Sequence, residues 1–341
     1  MNVSGSGNSG SPTSLANQPQ QNVSPEQSET QRSQADPRPQ GLSRLPGPEV
    51  LFPGITAATT VIQAQHAREN PLHMSPSPGW SRHLSTEAVE DLLTEMNHNG
   101  LAHVAWGSKP VFYLEGANEG GSWPHFADAQ ANGMKHGFAL IPSANNRSAS
   151  PDDHEGYLIN ISNALRAING NKQLFSERFN LPAATDAGLI LQHHVFPMLE
   201  QKTHNDEPEI TAVLLGFGHE NAHAFNDINS GNSAQRQSVR QQNQSLNDYV
   251  SSRLDAMSAQ NTRGLQAPAI PSFIKFDSPA TRASLDNYIT ESSRIQDAQT
   301  DLIDRHEDPN VMDDNENDEA LEEEQRMMAS ALMRRLCQEP A

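Results

Sequence analysis

The chain has 341 residues and a formal net charge of −19, from 42 Asp or Glu against 23 Lys or Arg. That charge opposes binding to phosphate backbones and to anionic membrane surfaces, and no apolar run is long enough to cross a bilayer. Hydrophobic residues make up only 35% and aromatics 5%, beside 23 Pro and 21 Gly, so the ordered core is expected to be smaller than the length alone allows.

Residues 1–50 are dominated by Ser, Gln, Asn, Pro and Gly and cannot bury enough apolar surface to offset the entropy of ordering. The first ten residues lack the apolar segment of a secretory signal peptide. The expected division is a disordered segment over 1–80, one folded domain over 81–305, and an acidic tail with a short C-terminal helix over 306–341. The single cysteine, Cys337, excludes an internal disulfide framework. Its place in a polar tail argues against cysteine-protease chemistry.

A short helix is possible at Ala57–Ala67. Ser85-Thr-Glu-Ala-Val-Glu predicts an N-capped helix carrying Ala88, Leu92 and Met96 on one stripe and ending at His98-Asn-Gly100. Val104-Ala-Trp106 and Val111–Leu114 predict a pair of short strands, and Gly133–Ile141 a third, with His136 structural or exposed. Leu158, Ile161, Leu165 and Ile168, then Leu174, Phe175 and Phe179, predict two helical pieces broken at Asn169-Gly170-Asn171. His193 and His194 are adjacent, so a helix cannot turn both to one site, and they read as structural. His204 falls in a polar loop. Ser238–Met257 is an amphipathic helix with Leu246, Val250, Leu254 and Met257 on one stripe. A loop over Leu265–Pro271, an apolar run at Phe273–Phe276 and a helix near Ala280–Leu302 follow. The stretch from Glu307 to Glu324 is acidic and solvated, and Met327–Leu336 reads as a loosely docked final helix.

The motif that carries chemistry lies at Ala212-Val-Leu-Leu-Gly-Phe-Gly-His219-Glu220-Asn-Ala-His223-Ala-Phe225. His219 and His223 stand at i and i+4, so on a helix both imidazoles can reach one ion, with Glu220 beside a metal-bound water. This is the pattern of a zinc peptidase site, with Glu220 as general base. Gly216 and Gly218 lower helix propensity, so the helix is expected to start near the motif. Asn221 occupies a position that must find hydrogen-bond partners or face solvent. Phe225 follows, and Gly231 is a plausible C-cap. A catalytic zinc needs a third protein ligand, and the downstream carboxylates are Asp248, Asp255, Asp277, Asp286 and Glu291.

Over about 135–300 the chain resembles the zinc metalloprotease effectors of the NleD and HopH type. The likeness centres on His219-Glu-Asn-Ala-His-Ala-Phe225 with Gly231 following. Asn163-Ala-Leu-Arg-Ala-Ile-Asn-Gly170 with Leu174-Phe175, and Thr262-Arg-Gly-Leu265, are also similar to family elements. The family places paired glutamates before the last of these. Here Ser258-Ala-Gln-Asn261 has no carboxylate, and Asp255 is the nearest. The resemblance implies an α+β fold: a compact zincin-like metallopeptidase domain, mostly helical with a small sheet, flanked by disordered segments. It assigns His219 and His223 to Zn2+, Glu220 to catalysis, and an electrophilic tyrosine to Tyr288 or Tyr249, of which Tyr288 is taken; Asp255, the nearest carboxylate to the missing glutamates, is taken as the third metal ligand. It further implies a monomer that uses type III secretion machinery or a chaperone, enters the host-cell cytoplasm and cuts a host signalling protein. No nucleic-acid or membrane partner is expected. The alternative is a catalytically inactive relative that acts by binding host proteins, which the missing glutamates and Asn221 favour.

Overall fold

The computed structural model describes residues 72–115, 125–126, 133–147, 154–201, 207–222, 233–261, 263–273, 275–306 and 317–340. The expectations for 1–71, including the Ala57–Ala67 helix, and those for His204, His223, Phe225, Gly231, Thr262 and 307–316 lie outside the described residues.

The described chain is mostly helical around a three-stranded antiparallel sheet. Strands β1 (Val111–Leu114), β2 (Phe138–Pro142) and β3 (Gly156–Asn160) lie in the order β1-β3-β2. Val111 pairs with Ile159, and Phe138 with Asn160. The pleat sorts side chains between two helical layers. Phe112, Leu114, Phe138, Leu140 and Leu158 face a core shared with α1 (Pro78–His83), α2 (Thr86–Asn97) and α3 (Leu101–Ala105). Val111, Tyr157 and Ile159 face a second core, built with α4 (Ile161–Gly170), α5 (Lys172–Arg178), α6 (Ala187–Ile190), α7 (Phe196–Glu200) and α8 (Pro208–Leu214). A third cluster joins α9 (Ser233–Gln260) to α10 (Pro279–His306) through Leu246, Val250, Leu285, Tyr288 and Ile289.

Several elements follow directly from local chemistry. Ser85 caps α2 by accepting from Ala88 N at 3.1 Å, and Ala88, Leu92 and Met96 are buried as their spacing requires. Gly100 ends that run at φ 85°, a backbone shape that glycine adopts without strain. His194 stacks on Phe179 at 5.1 Å within a π-helical turn, Leu191–Val195, and His136 is exposed.

Three expectations need correction. Val104-Ala-Trp106 is not a strand: residues 101–105 form α3, and β1 pairs with β3 instead. Gly156–Asn160 is the central strand and not the start of a helix. It is buried along its whole length, so it shows no alternation that would separate it from α4 behind it. Asn160 makes the change of direction, accepting from Asn163 N at 3.2 Å to cap α4 and donating to Val104 O at 2.9 Å.

The third correction is at the C-terminus, where α11 (Asn317–Leu336) runs for 20 residues and belongs to the core. Ala329, Ala331, Leu332, Met333 and Leu336 are buried against α1 and α2. Trp80 Nε1 donates to Gln338 O at 3.1 Å, so the two ends of the described chain are tied together. Cys337 is fully buried, and burial pushes its thiol up to about 12. An inert thiol is the result, for a reason other than a polar tail.

Leu332→Ala should therefore destabilise the chain by about 2–5 kcal/mol through the cavity it leaves. Leu321→Ala, at a residue 53% exposed on the same helix, should change stability by less than about 0.5 kcal/mol. Urea denaturation of the two variants checks the contrast.

Candidate active site

The apolar run before the motif forms its own helix. Ile210, Ala212, Val213 and Leu214 of α8 are buried. The helix then breaks at Gly216 (φ 84°) and Gly218 (φ 76°), and residues 219–222 are helical again. The two glycines thus turn the chain so that the motif starts a fresh helical turn at the surface. His219 is exposed, Glu220 half-buried and Asn221 buried.

Asn221 finds partners on all sides. Its Nδ2 donates to Phe217 O at 2.5 Å and to Thr281 Oγ1 at 3.2 Å, and its Oδ1 accepts from Phe276 N at 2.7 Å. Glu220 accepts a hydrogen bond from Ser278 Oγ. Both motif side chains are therefore docked on residues 276–281, where α10 begins. That segment is held from the other side by α9, whose Asn243 Oδ1 accepts from Lys275 N at 2.9 Å and whose Gln242 Oε1 accepts from Asp277 N at 3.1 Å. Sequence reasoning missed Ser278 and Thr281. The Ser278-Pro279 pair is legible as an N-cap followed by a proline at the first helical position. Its contact with a glutamate 58 residues earlier has no local signature.

Tyr288 lies beneath the turn. It is 4% exposed and donates to Gly216 O at 3.0 Å, with its ring edge-on to His103 at 5.2 Å. Burial, then the nearby Glu291 charge, raise its phenol above the usual range. A Cβ at residue 216 would overlap the Tyr288 hydroxyl.

Glu291 is committed elsewhere. It accepts from Ser108 N at 3.1 Å and from Asn287 Nδ2 at 2.9 Å, and meets His103 Nδ1 at 3.1 Å. Burial works to raise its carboxyl, but the His103 hydrogen bond and charge, with the Ser108 bonds, outweigh burial and hold it below the usual carboxylate range. Ser292 Oγ lies 3.3 Å from His103 Nε2, completing an acid–histidine–serine row. Ser292 and His103 are both 0% exposed, so the row is a buried polar brace and not a nucleophile open to substrate.

The other third-ligand candidates stand as follows. Asp255 is exposed on α9, about 18 Å along the axis from Asn243 at 1.5 Å per residue. Asp248 is exposed and accepts from Gln244 Nε2 at 2.7 Å. Asp286 accepts from Tyr249 OH at 2.5 Å. Asp277 stands one residue before Ser278, with its two oxygens on Arg282 at 2.6 and 2.7 Å. Among the described residues, no three His, Cys, Asp or Glu side chains gather as a metal site. His219 is the one histidine of the motif that they include.

A further buried ionisable group lies close to the turn. Lys109 is 5% exposed, with Nζ 4.8 Å from the Phe112 ring centre, and burial lowers its amine from the ordinary 10.5 to about 7 against the pull of Glu95.

No protein-family model matches the chain, and neither the curated proteins nor the solved structures include a match.

Two outcomes follow. Gly216→Ala should destabilise by about 1–3 kcal/mol, from the left-handed backbone and the overlap with Tyr288. The penalty should shrink in a Tyr288→Phe background, where the hydroxyl is gone, and a double-mutant cycle in urea measures the difference. For Lys109, the unfolded chain holds the proton up to about 10.5 and the folded chain only up to about 7. Stability should therefore rise with pH through that window. Lys109→Met should flatten the rise and stabilise the protein near pH 7, read as the urea midpoint across pH.

Proposed function

We propose that the chain is a zinc-dependent endopeptidase with a zincin-like domain. The observation that carries the reading is the placement of His219 and Glu220. The His-Glu pair opens a helical turn at the surface, and the glutamate carboxylate is anchored from a second helix. His223 follows four residues later in the sequence, at the spacing that puts two imidazoles on one helical face. His219 and His223 would hold the ion together with a third ligand. A bound zinc would lower the pKa of a coordinated water and polarise a peptide carbonyl. Glu220, half-buried, is the group to accept a proton beside it, with Ser278 steadying its Oε2. Tyr288, bonded into the fold through Gly216, supports the turn; serving as an electrophile would require it to leave that bond.

The wider reading takes in delivery by type III secretion into a host cytoplasm and cleavage of a host signalling protein. It is supported by the polar composition of residues 1–50 and by the family likeness of the motif. The second reading, an inactive relative that works by binding, is favoured by one observation. Asp255, the nearest carboxylate to the family's glutamate position, is exposed on α9.

Elemental analysis of the purified chain beside a His219→Ala/His223→Ala double variant tests the proposal. One zinc per chain in the parent and none in the variant is expected, with Glu220→Gln retaining the metal and losing hydrolysis of a labelled casein by about a hundredfold or more. A folded parent without zinc would favour the binding reading.

A further inference from the structure

Ser278 is bonded on several sides, and counting protons fixes the direction of each bond. Its Oγ accepts from Thr281 N at 3.1 Å, which closes the N-terminus of α10 behind Pro279. A hydroxyl carries one proton. That proton can go to Glu220 or to Thr281 Oγ1 at 3.2 Å. Thr281 Oγ1 already receives Asn221 Nδ2 and has a proton of its own to give. An ionised carboxylate only accepts, and accepts more strongly than a neutral hydroxyl. The Ser278 proton therefore lies on the line to Glu220 Oε2, and Thr281 can give its own to Ser278 Oγ or to Asn221 Oδ1 at 3.4 Å.

The consequence is geometric. Asn221, the next residue, is fixed by Phe276 N and Thr281 Oγ1, so the backbone of the motif turn is set against the start of α10. The Glu220 side chain retains its own torsions, and the Ser278 bond is what selects among them. The same bond places the Glu220 carboxyl group beside the residue that caps a 28-residue helix.

We propose that Ser278 is a positioning residue for Glu220: it holds Oε2 so that Oε1 is presented for proton uptake. This rests on the zinc-peptidase reading above.

The test starts with urea unfolding of the full-length, metal-free chain as wild type, Ser278→Ala, Glu220→Ala and the double variant. The cap on Thr281 is lost in both Ser278→Ala backgrounds and cancels in the cycle. Ser278→Ala should raise the unfolding constant about fivefold more with Glu220 present than without it. Equal effects in the two backgrounds would overturn the proposal. Should Ser278→Ala fail to fold, Ser278→Gly, which largely spares the cap, gives the same comparison.

The zinc-loaded chain on fluorescein-labelled casein then separates positioning from stability. In folded Ser278→Ala, kcat should fall about tenfold with KM and zinc per chain unchanged, and Ser278→Thr should restore it. An unchanged kcat would overturn the positioning role. A wild-type chain that binds no zinc would instead sink the peptidase reading, and the unfolding cycle would still decide whether Ser278 holds Glu220.

Discussion

The burial of one amide, Asn221, governs how the motif is presented. A carboxamide at 4% exposure must satisfy its donors and acceptor within the protein. It does so by spanning its own turn (Phe217 O) and the segment that starts α10 (Phe276 N and Thr281 Oγ1). An apolar residue here would pack but would leave Phe276 N without this acceptor. The polar side chain within the motif thus has a structural role. The motif turn in this chain is fastened by hydrogen bonds to a loop, and that loop is in turn fastened by Asn243 and Gln242 of α9.

Around that fastening the buried polar groups form a continuous support. Tyr288 links the Gly216 carbonyl to the ring of His103, and His103 is bonded to Glu291, which also takes Ser108 N and Asn287. Gly107 has no Cβ because one would overlap the Glu291 carboxylate. Buried networks of this kind are tolerated when each member is paired. Here the acid most deeply placed on α10 is used to hold α10 against α3 and the loop before β1. It is not left to serve the exposed His219.

How much of this was legible follows from the range of each signal. The Ser85 cap, the stripe on α2, the break at Asn171 and the amphipathic α9 are local, set by spacing and capping over a few residues, and they lie where the sequence places them. β3 is not legible because a strand buried on both faces has no alternation, and its Leu158 falls in step with the stripe of the helix that follows. The C-terminal helix looked peripheral because its first turns are acidic, yet its last turns carry Ala329, Leu332, Met333 and Leu336, which close the first core. The two glycines before His219 foretold a helix break. They did not reveal that the apolar run before them is a separate helix, buried in a different core from the cluster that holds Tyr288.

The candidate site divides along the same line. His219 and Glu220 are legible because two adjacent positions on a helical turn have a fixed relation. Ser278 and Thr281 are not, because what makes them matter is a contact made across the fold between two turns, neither of which specifies the other. Asp255 shows the converse. It is a downstream carboxylate by sequence, but along α9 it stands about 18 Å of helix rise from Asn243, which meets the loop that holds the motif turn. Along a helix, each residue of displacement moves a side chain by 1.5 Å and about a hundred degrees. A ligand position offset by a few residues is consequently a different place and a different face. At the start of α10, beside the residues that fasten the motif turn, Asp277 stands in a bidentate pair with Arg282. An exposed pair of that sort is worth little to stability, so losing it would cost the fold far less than moving Glu291 out of its buried network.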